Sequence, residues 1–353
     1  MGKPAKVARI PRSRMSCQSR GRMPFKQDRE SKATTWKDKQ RACVFAGLRA
    51  MRAPAVLLTL CALVFSCPHL RWNEPTDHLE LFSGVCSITK GEWHENREAL
   101  AMDINFHPIE QSIMTSVGFC NSLFQVLNVK PGGGIWAAPV CSTWVFMSRG
   151  STKRTKLNPM GSNAGKTGEH NIMVGRVAIL LALAAAKCCW WNMEQPKNSL
   201  LEGHVLFQSF LKLKQVAVTR VTCCLGYFGA DTLKPVWIYS SNPDAESFNE
   251  YANKHRKLVK ASEMVVHYTD SNGLQRIKGG SDLKQSQAYP LMFGKAVARV
   301  RTRFMKDTKR RAARFLRDAV KDKAGAVNPS AKLNKLWMTH SGLQPIIDFL
   351  AKQ

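Results

Sequence analysis

Two stretches of this chain carry residue types able to do covalent chemistry. Cys141 follows a predicted strand, Ile135–Ala138, in the run Gly133-Gly134-Ile135-Trp136-Ala137-Ala138-Pro139-Val140-Cys141-Ser142-Thr143-Trp144. Glu194 ends another, Trp190–Met193, in the run Trp190-Trp191-Asn192-Met193-Glu194-Gln195-Pro196-Lys197-Asn198-Ser199. A thiol and a carboxylate at adjacent strand ends make a nucleophile with an acid–base partner. A helix N-terminus or nearby cations can give such a thiol thiolate character. Two plainer readings stand beside this one: Cys141 as a packed thiol, and Glu194 as a surface acid at a strand terminus.

A third stretch reads as a ligand pocket. His78-Leu79-Glu80-Leu81-Phe82-Ser83-Gly84-Val85-Cys86 gives a buried strand, Leu79–Phe82, running into a small-residue turn. A short helix, Val85–Glu92, leads to a second strand, Leu100–Met102, which ends on Asp103. The turn lets backbone approach a nucleoside, and the acid can accept hydrogen bonds from a ribose diol; its alternative role is a helix cap. There is one glycine, Gly84, where a dinucleotide fingerprint has three. The expected ligand is therefore a single nucleoside such as S-adenosylmethionine.

The elements that must position these groups alternate along the chain. A helix is expected at Asn121–Leu127, a turn at Pro131–Gly134, and a polar basic loop at Ser148–Glu169. A long apolar helix, Ile172–Cys189, precedes the fourth strand; a helix at Leu201–Leu211 and strands at Ala217–Cys223 and Val236–Tyr239 follow. Strands alternating with helices predict an α/β fold with a mostly parallel sheet flanked by helices and ligands at the strand C-termini. The folded unit is expected over 77–300. Residues 1–76 are expected to form a basic, structureless tail, and 301–353 a basic helical extension. Phe293–Lys323 interleaves Phe304, Phe315 and Leu316 with eight cations, which suits a helix packed by an apolar stripe with a basic outer side. Ile346–Leu350 reads as a last short helix.

The chain has 353 residues and 44% hydrophobic content, enough for a substantial core. Its 53 Lys and Arg face 25 Asp and Glu, a net charge of +28. Such a surface attracts polyanions, so nucleic acid is the expected partner and an anionic membrane the second. Residues 1–52 hold 15 Lys/Arg against 3 Asp/Glu, and residues 295–323 hold 12 against 3. These segments carry most of the surplus; a solvated tail is the bland reading of the first. The 11 cysteines include no C-x-x-C pair, which argues against structural zinc and for a reducing compartment. Ala53–Cys67 is apolar and uncharged, and about half to three-quarters of a membrane-spanning length. It reads as a targeting segment if the chain starts at Met51, or as a buried helix. The expected location is nuclear, with organelle or secretory targeting through residues 53–67 as the alternative.

The order Leu81-Phe82-Ser83-Gly84, Asp103, Ala138-Pro139-Val140-Cys141, Glu194-Gln195-Pro196 and Phe293-Gly294-Lys295-Ala296-Val297 resembles the C5-cytosine DNA methyltransferases. It is most similar to a divergent branch of dinoflagellates and other protists, through Trp136–Arg149, Met193–Leu200, Leu225–Ser240 and Gln287–Val297. The resemblance implies a Rossmann-like methyltransferase fold that uses S-adenosylmethionine and acts on DNA ahead of RNA. It implies that Phe82, Ser83 and Gly84 hold the cofactor and that Asp103, with Ile104 beside it, binds the ribose. Pro139 would line the same site, and Gly294 and Val297 would return to close it. Cys141 matches the nucleophile that adds to C6 of cytosine, and Glu194 the carboxylate that protonates the ring nitrogen. The target base must be flipped from a duplex to meet them. Arg149, Lys153 and Arg154 in the loop, and Arg310, Arg311 and Arg314 near the C-terminus, are the expected phosphate contacts. No metal is implied. The chain departs from the family at Val140, Ser142, Gln195 and Pro196, and a Gln-x-Arg-x-Arg motif and a recognisable target-recognition domain are missing. A methyltransferase-like protein without catalysis, held on nucleic acid by its basic segments, is the alternative these departures support.

Overall fold

Apolar residues alternate along short β-rich runs, so each strand offers one side chain in two to either face of a sheet. The computed structural model describes residues 26–72, 75–255, 257, 265–279, 287–302 and 331–353. Four strands lie parallel: β1 (Thr76–Leu81), β2 (Ala99–Met102), β3 (Val129–Ala137) and β4 (Trp190–Pro196). β6 (Pro235–Ser240) runs antiparallel to β4, and β5 (Thr219–Cys224) antiparallel to β6. The order across the sheet is β2-β1-β3-β4-β6-β5. A separate antiparallel ribbon joins β7 (Val265–Thr269) to β8 (Gln275–Gly279). The fold is thus α/β, with a mostly parallel sheet compatible with a Rossmann-like architecture.

Two cores cover the sheet. On one face Leu79, Leu81, Ile135, Ala137, Trp191 and Met193 meet a thick helical layer. That layer comprises α1 (Lys26–Ala50), α2 (Ala55–Ser66), α4 (Ser116–Asn128), α6 (Gly165–Ala186), α7 (Val205–Leu211), α9 (Ala331–Ser341) and α10 (Gln344–Ala351). The other face is thinner. Trp136, Trp190, Val236 and Ile238 pack there against α3 (Ser87–His94) and α8, the helix over residues 291–302. A short helix, α5 (Arg149–Thr152), lies between β3 and α6.

The expected tail over 1–76 is corrected from α1 onward; residues 1–25 lie outside the described residues. Val44 and Leu48, four apart on α1, are fully buried. Gly47 brings the α1 backbone against the Ala186 carbonyl at the end of α6, where no side chain would fit. Exposed Asp38, Lys39, Arg41 and Arg49 mask this narrow stripe in the composition. Residues 53–67 supply α2, whose Leu57, Leu60, Cys61, Val64 and Phe65 are buried in the main core. α6 is long and apolar enough to cross a membrane, but 78% of its most apolar stretch is buried inside the protein, as in a core helix. Of the helical extension expected over 301–353, residues 303–330 lie outside the described residues, and 331–341 and 344–351 are helical but packed into the core rather than extended from it. Trp337 of α9 and Ile346 of α10 are fully buried in the same helical layer. The expected turn at Pro131–Gly134 is an irregularity inside β3, where the pairing register slips between Thr76 and His78.

Candidate functional site

The chain crosses from one side of β1 to the other at a single place. β1 leads through α3 to β2 on its one flank, and β2 leads through α4 to β3 on the other. The adjacent C-terminal ends of β1 and β3 are therefore a topological switch point, where open α/β sheets hold ligands in the crevice between diverging loops. The register sharpens this. Leu81 pairs with both Met102 and Ala137, and Ala137 pairs with Met193. Phe82, Asp103 and Ala138 are the first residues past these paired positions, and Glu194 follows Met193 within β4.

The turn after β1 is tightly wound. Phe82, Gly84 and Cys86 have φ of 60°, 52° and 60°, three left-handed residues in five. For Phe and Cys this conformation costs on the order of 1 kcal/mol each and persists only where surrounding contacts enforce it. Those contacts come from two acids. Asp103 Oδ2 accepts the Gly84 N–H at 2.8 Å, and its Oδ1 accepts from Asn105 N and Nδ2. Glu80, inside β1, accepts N–H bonds from Ile88 (3.3 Å) and Thr89 (2.8 Å) and the Thr89 hydroxyl (2.7 Å). It therefore caps the first turn of α3, whose backbone N–H groups and dipole favour an anion. Burial pushes the Glu80 carboxyl up to about 7 against the lowering effect of these bonds.

The turn is open at Gly84. A Cβ built on Gly84 would meet nothing within 4 Å. A carboxylate offers about four lone-pair sites, and Asp103 uses three in these hydrogen bonds. Exposed Val85 and Ile104 flank the opening with apolar surface. Ser83 and Pro139 are buried, Phe82 is half-buried and Gly84 is exposed. Gly294 and Val297 do not line it. Val297 is fully buried in the second core, and a Cβ on Gly294 would stand 1.8 Å from the Ser87 carbonyl oxygen. The expected direct contact is corrected: these residues act at one remove, by seating α8 against the start of α3.

Cys141 and Glu194 lie close enough to interact electrostatically. Burial is the largest influence on the Cys141 thiol, and the nearby Glu194 carboxylate adds to it; together they push it up to about 11. Glu194 is buried in the C-terminal half of β4, and burial raises its pKa above the usual carboxylate range, opposed by Lys234 and by Tyr289. The Tyr289 hydroxyl donates to Glu194 Oε2 at 2.6 Å. Gln195, one of the departures from the family pattern, is fully engaged: its Nε2 donates to the Pro139 carbonyl at 2.7 Å and its Oε1 accepts from Ser199. It ties the segment bearing Cys141 to β4. Sequence reasoning missed Glu80, Gln195 and Tyr289. Glu80 is an acid in an otherwise apolar strand, and that was a usable signal. Nothing near Tyr289 in the sequence points to Glu194.

The rim divides the expected phosphate contacts. Arg154 is 1% exposed and is corrected. Its guanidinium sits 3.3 Å from the centre of the Trp144 ring and donates to the carbonyls of Pro159 and Thr167 and to Thr143 Oγ1. Its two Nη groups close the loop after α5, and burial lowers it to about 10. Thr143 Oγ1 also lies 3.0 Å from His170 Nδ1. Lys153 is exposed and Arg149 lies over the Phe146 ring at 5.1 Å. Phe146 is itself 71% exposed, and Val140 and Met147 are exposed beside it. Arg310, Arg311 and Arg314 lie outside the described residues. Among the described residues, no three His, Cys, Asp or Glu side chains gather as a metal site. A cavity of about 480 Å³ lined by Met51, Val205, Lys212 and Leu336 lies among α7, α9 and the end of α1, remote from this chemistry. No protein-family model matches the chain, and no curated protein sequence matches it.

Proposed function

We propose that the chain is an S-adenosylmethionine-dependent methyltransferase acting on C5 of cytosine in nucleic acid, with DNA the expected substrate. One observation carries the reading. The register that sets Leu81 beside Met102 and Ala137, and Ala137 beside Met193, supports it: the turn after β1, Asp103 after β2, the Cys141 segment after β3 and Glu194 in β4 all follow that row. The Phe82–Gly84 turn, Asp103 and the apolar flank of Ile104 would hold the cofactor, which supplies an electrophilic methyl group when bound.

The chain's own residues prepare the acceptor. Cytosine C5 is a weak nucleophile. Cys141 gives its proton to solvent, and addition of the Sγ thiolate at C6 makes a new S–C bond and moves the ring electrons toward C5. Protonation of the ring nitrogen by Glu194 balances that addition. After alkylation, the C5 proton passes to solvent, the ring-nitrogen proton returns to Glu194, and Cys141 leaves C6 as a thiolate that takes a proton from solvent, which restores the aromatic ring and the free thiol. A Glu194 with a raised pKa suits the donor role near neutral pH. Exposed Phe146, with the half-buried Arg149 against its ring, offers a stacking surface for a displaced base.

Purified protein given cofactor labelled in its methyl group and cytosine-containing duplex should yield labelled 5-methylcytosine. Cys141→Ser should abolish it; transfer that survives in this variant removes the thiol mechanism. The second reading is a catalytically silent nucleic-acid-binding protein, favoured by a Cys141 thiol held neutral at physiological pH. Salt-dependent nucleic-acid binding with no cofactor affinity by calorimetry would select it.

A further inference from the structure

Tyr289 reaches both halves of the site. Its backbone carbonyl accepts the Ser87 hydroxyl at 2.5 Å, at the first residue of α3. Its own hydroxyl donates to Glu194 Oε2 at 2.6 Å, in β4. The ring is fixed between these contacts by Trp136 (centroids 5.9 Å apart, edge-on) and Phe293 (5.4 Å). Three residues later the α8 backbone at Met292–Gly294 runs against α3, so closely that Gly91 and Gly294 admit no side chain. The α3 N-terminus in turn is capped by Glu80 from the strand that carries the cofactor turn.

We propose that Tyr289 is a positioning residue: it holds one oxygen of Glu194 so that the other presents its proton to the substrate, and it links that carboxyl to the cofactor turn through α3. The inference rests on the proposed reading of Glu194 as the acid. A carboxyl whose Oε2 accepts a short hydrogen bond carries its proton on Oε1, the free oxygen. Without the tyrosine either oxygen can hold the proton, and the side chain loses its orientation. The groups acting on this pair come from four elements. Cys141 follows β3, Lys234 precedes β6, Glu80 lies in β1, and Glu194 itself lies in β4. Burial raises Tyr289 well above the usual phenol range, so it stays a donor throughout the working pH range.

The test is Tyr289→Phe, which keeps the ring contacts and removes the hydroxyl. The Tyr289 bond lowers the Glu194 pKa, so its loss should move the Glu194 titration upward. Infrared difference titration of the carboxyl stretch, with Glu194→Gln identifying the band, reads this directly and needs no turnover. Methyl transfer should fall roughly ten- to hundredfold in kcat, with the alkaline limb of its pH profile displaced upward and KM for the cofactor little changed. An unmoved carboxyl band, or a pH profile and kcat equal to wild type, overturns the role of Tyr289. A shifted band in a protein that transfers no methyl group in either form upholds the pairing and sinks the methyltransferase reading alone.

Discussion

Cys141 rests as a thiol. Its pKa of about 11 comes first from burial and second from Glu194, so the two groups resist ionising together. Alkylation of Cys141 by iodoacetamide, resolved by peptide mass spectrometry, should be slow at neutral pH and keep accelerating toward pH ~11. Glu194→Gln should speed it at any fixed pH above the point where Glu194 ionises. A rate that levels off below pH 8 would contradict this account of the thiol. Glu80 gives a second, thermodynamic consequence. Its carboxyl is raised to about 7 in the folded state, above its ordinary value of 4.5. The folded state therefore binds more protons than the unfolded chain between these values. The stabilisation is complete below pH ~4.5 and is lost as pH rises through ~7, by about 3 kcal/mol for a shift of this size. Urea unfolding of the wild type should show this decline, and Glu80→Gln should remove it; parallel profiles for the two proteins would be the contrary result.

At the level of elements, the contact between α3 and α8 governs the site. A Cβ on Gly91 would stand 2.2 Å from the Gly294 carbonyl oxygen, and one on Gly294 would stand 1.8 Å from that of Ser87. Both obstacles are backbone, so no rotamer change relieves them. The helices are also joined by buried charge. Glu92 of α3 accepts from Arg97 Nε and, at 2.9 Å, from Arg301 of α8, with His78 Nδ1 at 3.1 Å on its other oxygen. These partners overcome burial and hold Glu92 well below the usual carboxylate range. Gly294→Ala should destabilise the fold by roughly 1–3 kcal/mol and weaken cofactor binding, measured by urea midpoint and calorimetry. An unchanged midpoint would mean that the helices part easily. The sequence carries the strands and the turn well: Ala99–Met102 falls on a continuous apolar run, and the strand expected at Trp190–Met193 is the first part of β4, which runs on to Pro196. It hides what depends on distant partners. Gly294 reads as a cofactor residue until α3 is seen against it. Arg154 reads as a free loop cation until Trp144 and two carbonyls claim it. Val44 and Leu48 sit within a basic stretch, where a narrow stripe is outweighed by the charge around it. Gln195 looks like a lost motif residue, whereas its amide secures the Pro139 carbonyl.

The whole molecule is an asymmetric arrangement. A thick helical layer covers one face of the sheet, a thin layer rich in polar residues covers the other, and the strand ends open toward a rim of exposed apolar and basic side chains. The net charge of +28 far exceeds what this rim needs, and much of it lies in residues 1–52 and 295–323. Charge of this kind binds a polyanion by releasing its counterions, so affinity depends on salt but not on base sequence. Specific chemistry and general attraction should therefore separate. Fluorescence anisotropy with a mixed-sequence duplex should show binding that weakens by on the order of a thousandfold or more between 50 and 200 mM salt if six to ten phosphates are engaged. Residues 1–25 contain seven Lys and Arg and no Asp or Glu. Deleting them, or replacing Arg310, Arg311 and Arg314 with serine, should flatten the salt dependence equally for every duplex sequence. Cofactor affinity should stay at the wild-type value in both variants, because Asp103 and the Gly84 turn lie within the sheet scaffold. A salt slope unchanged in both variants would move the polyanion contacts to the rim itself, where Lys153 and Arg149 would then carry them.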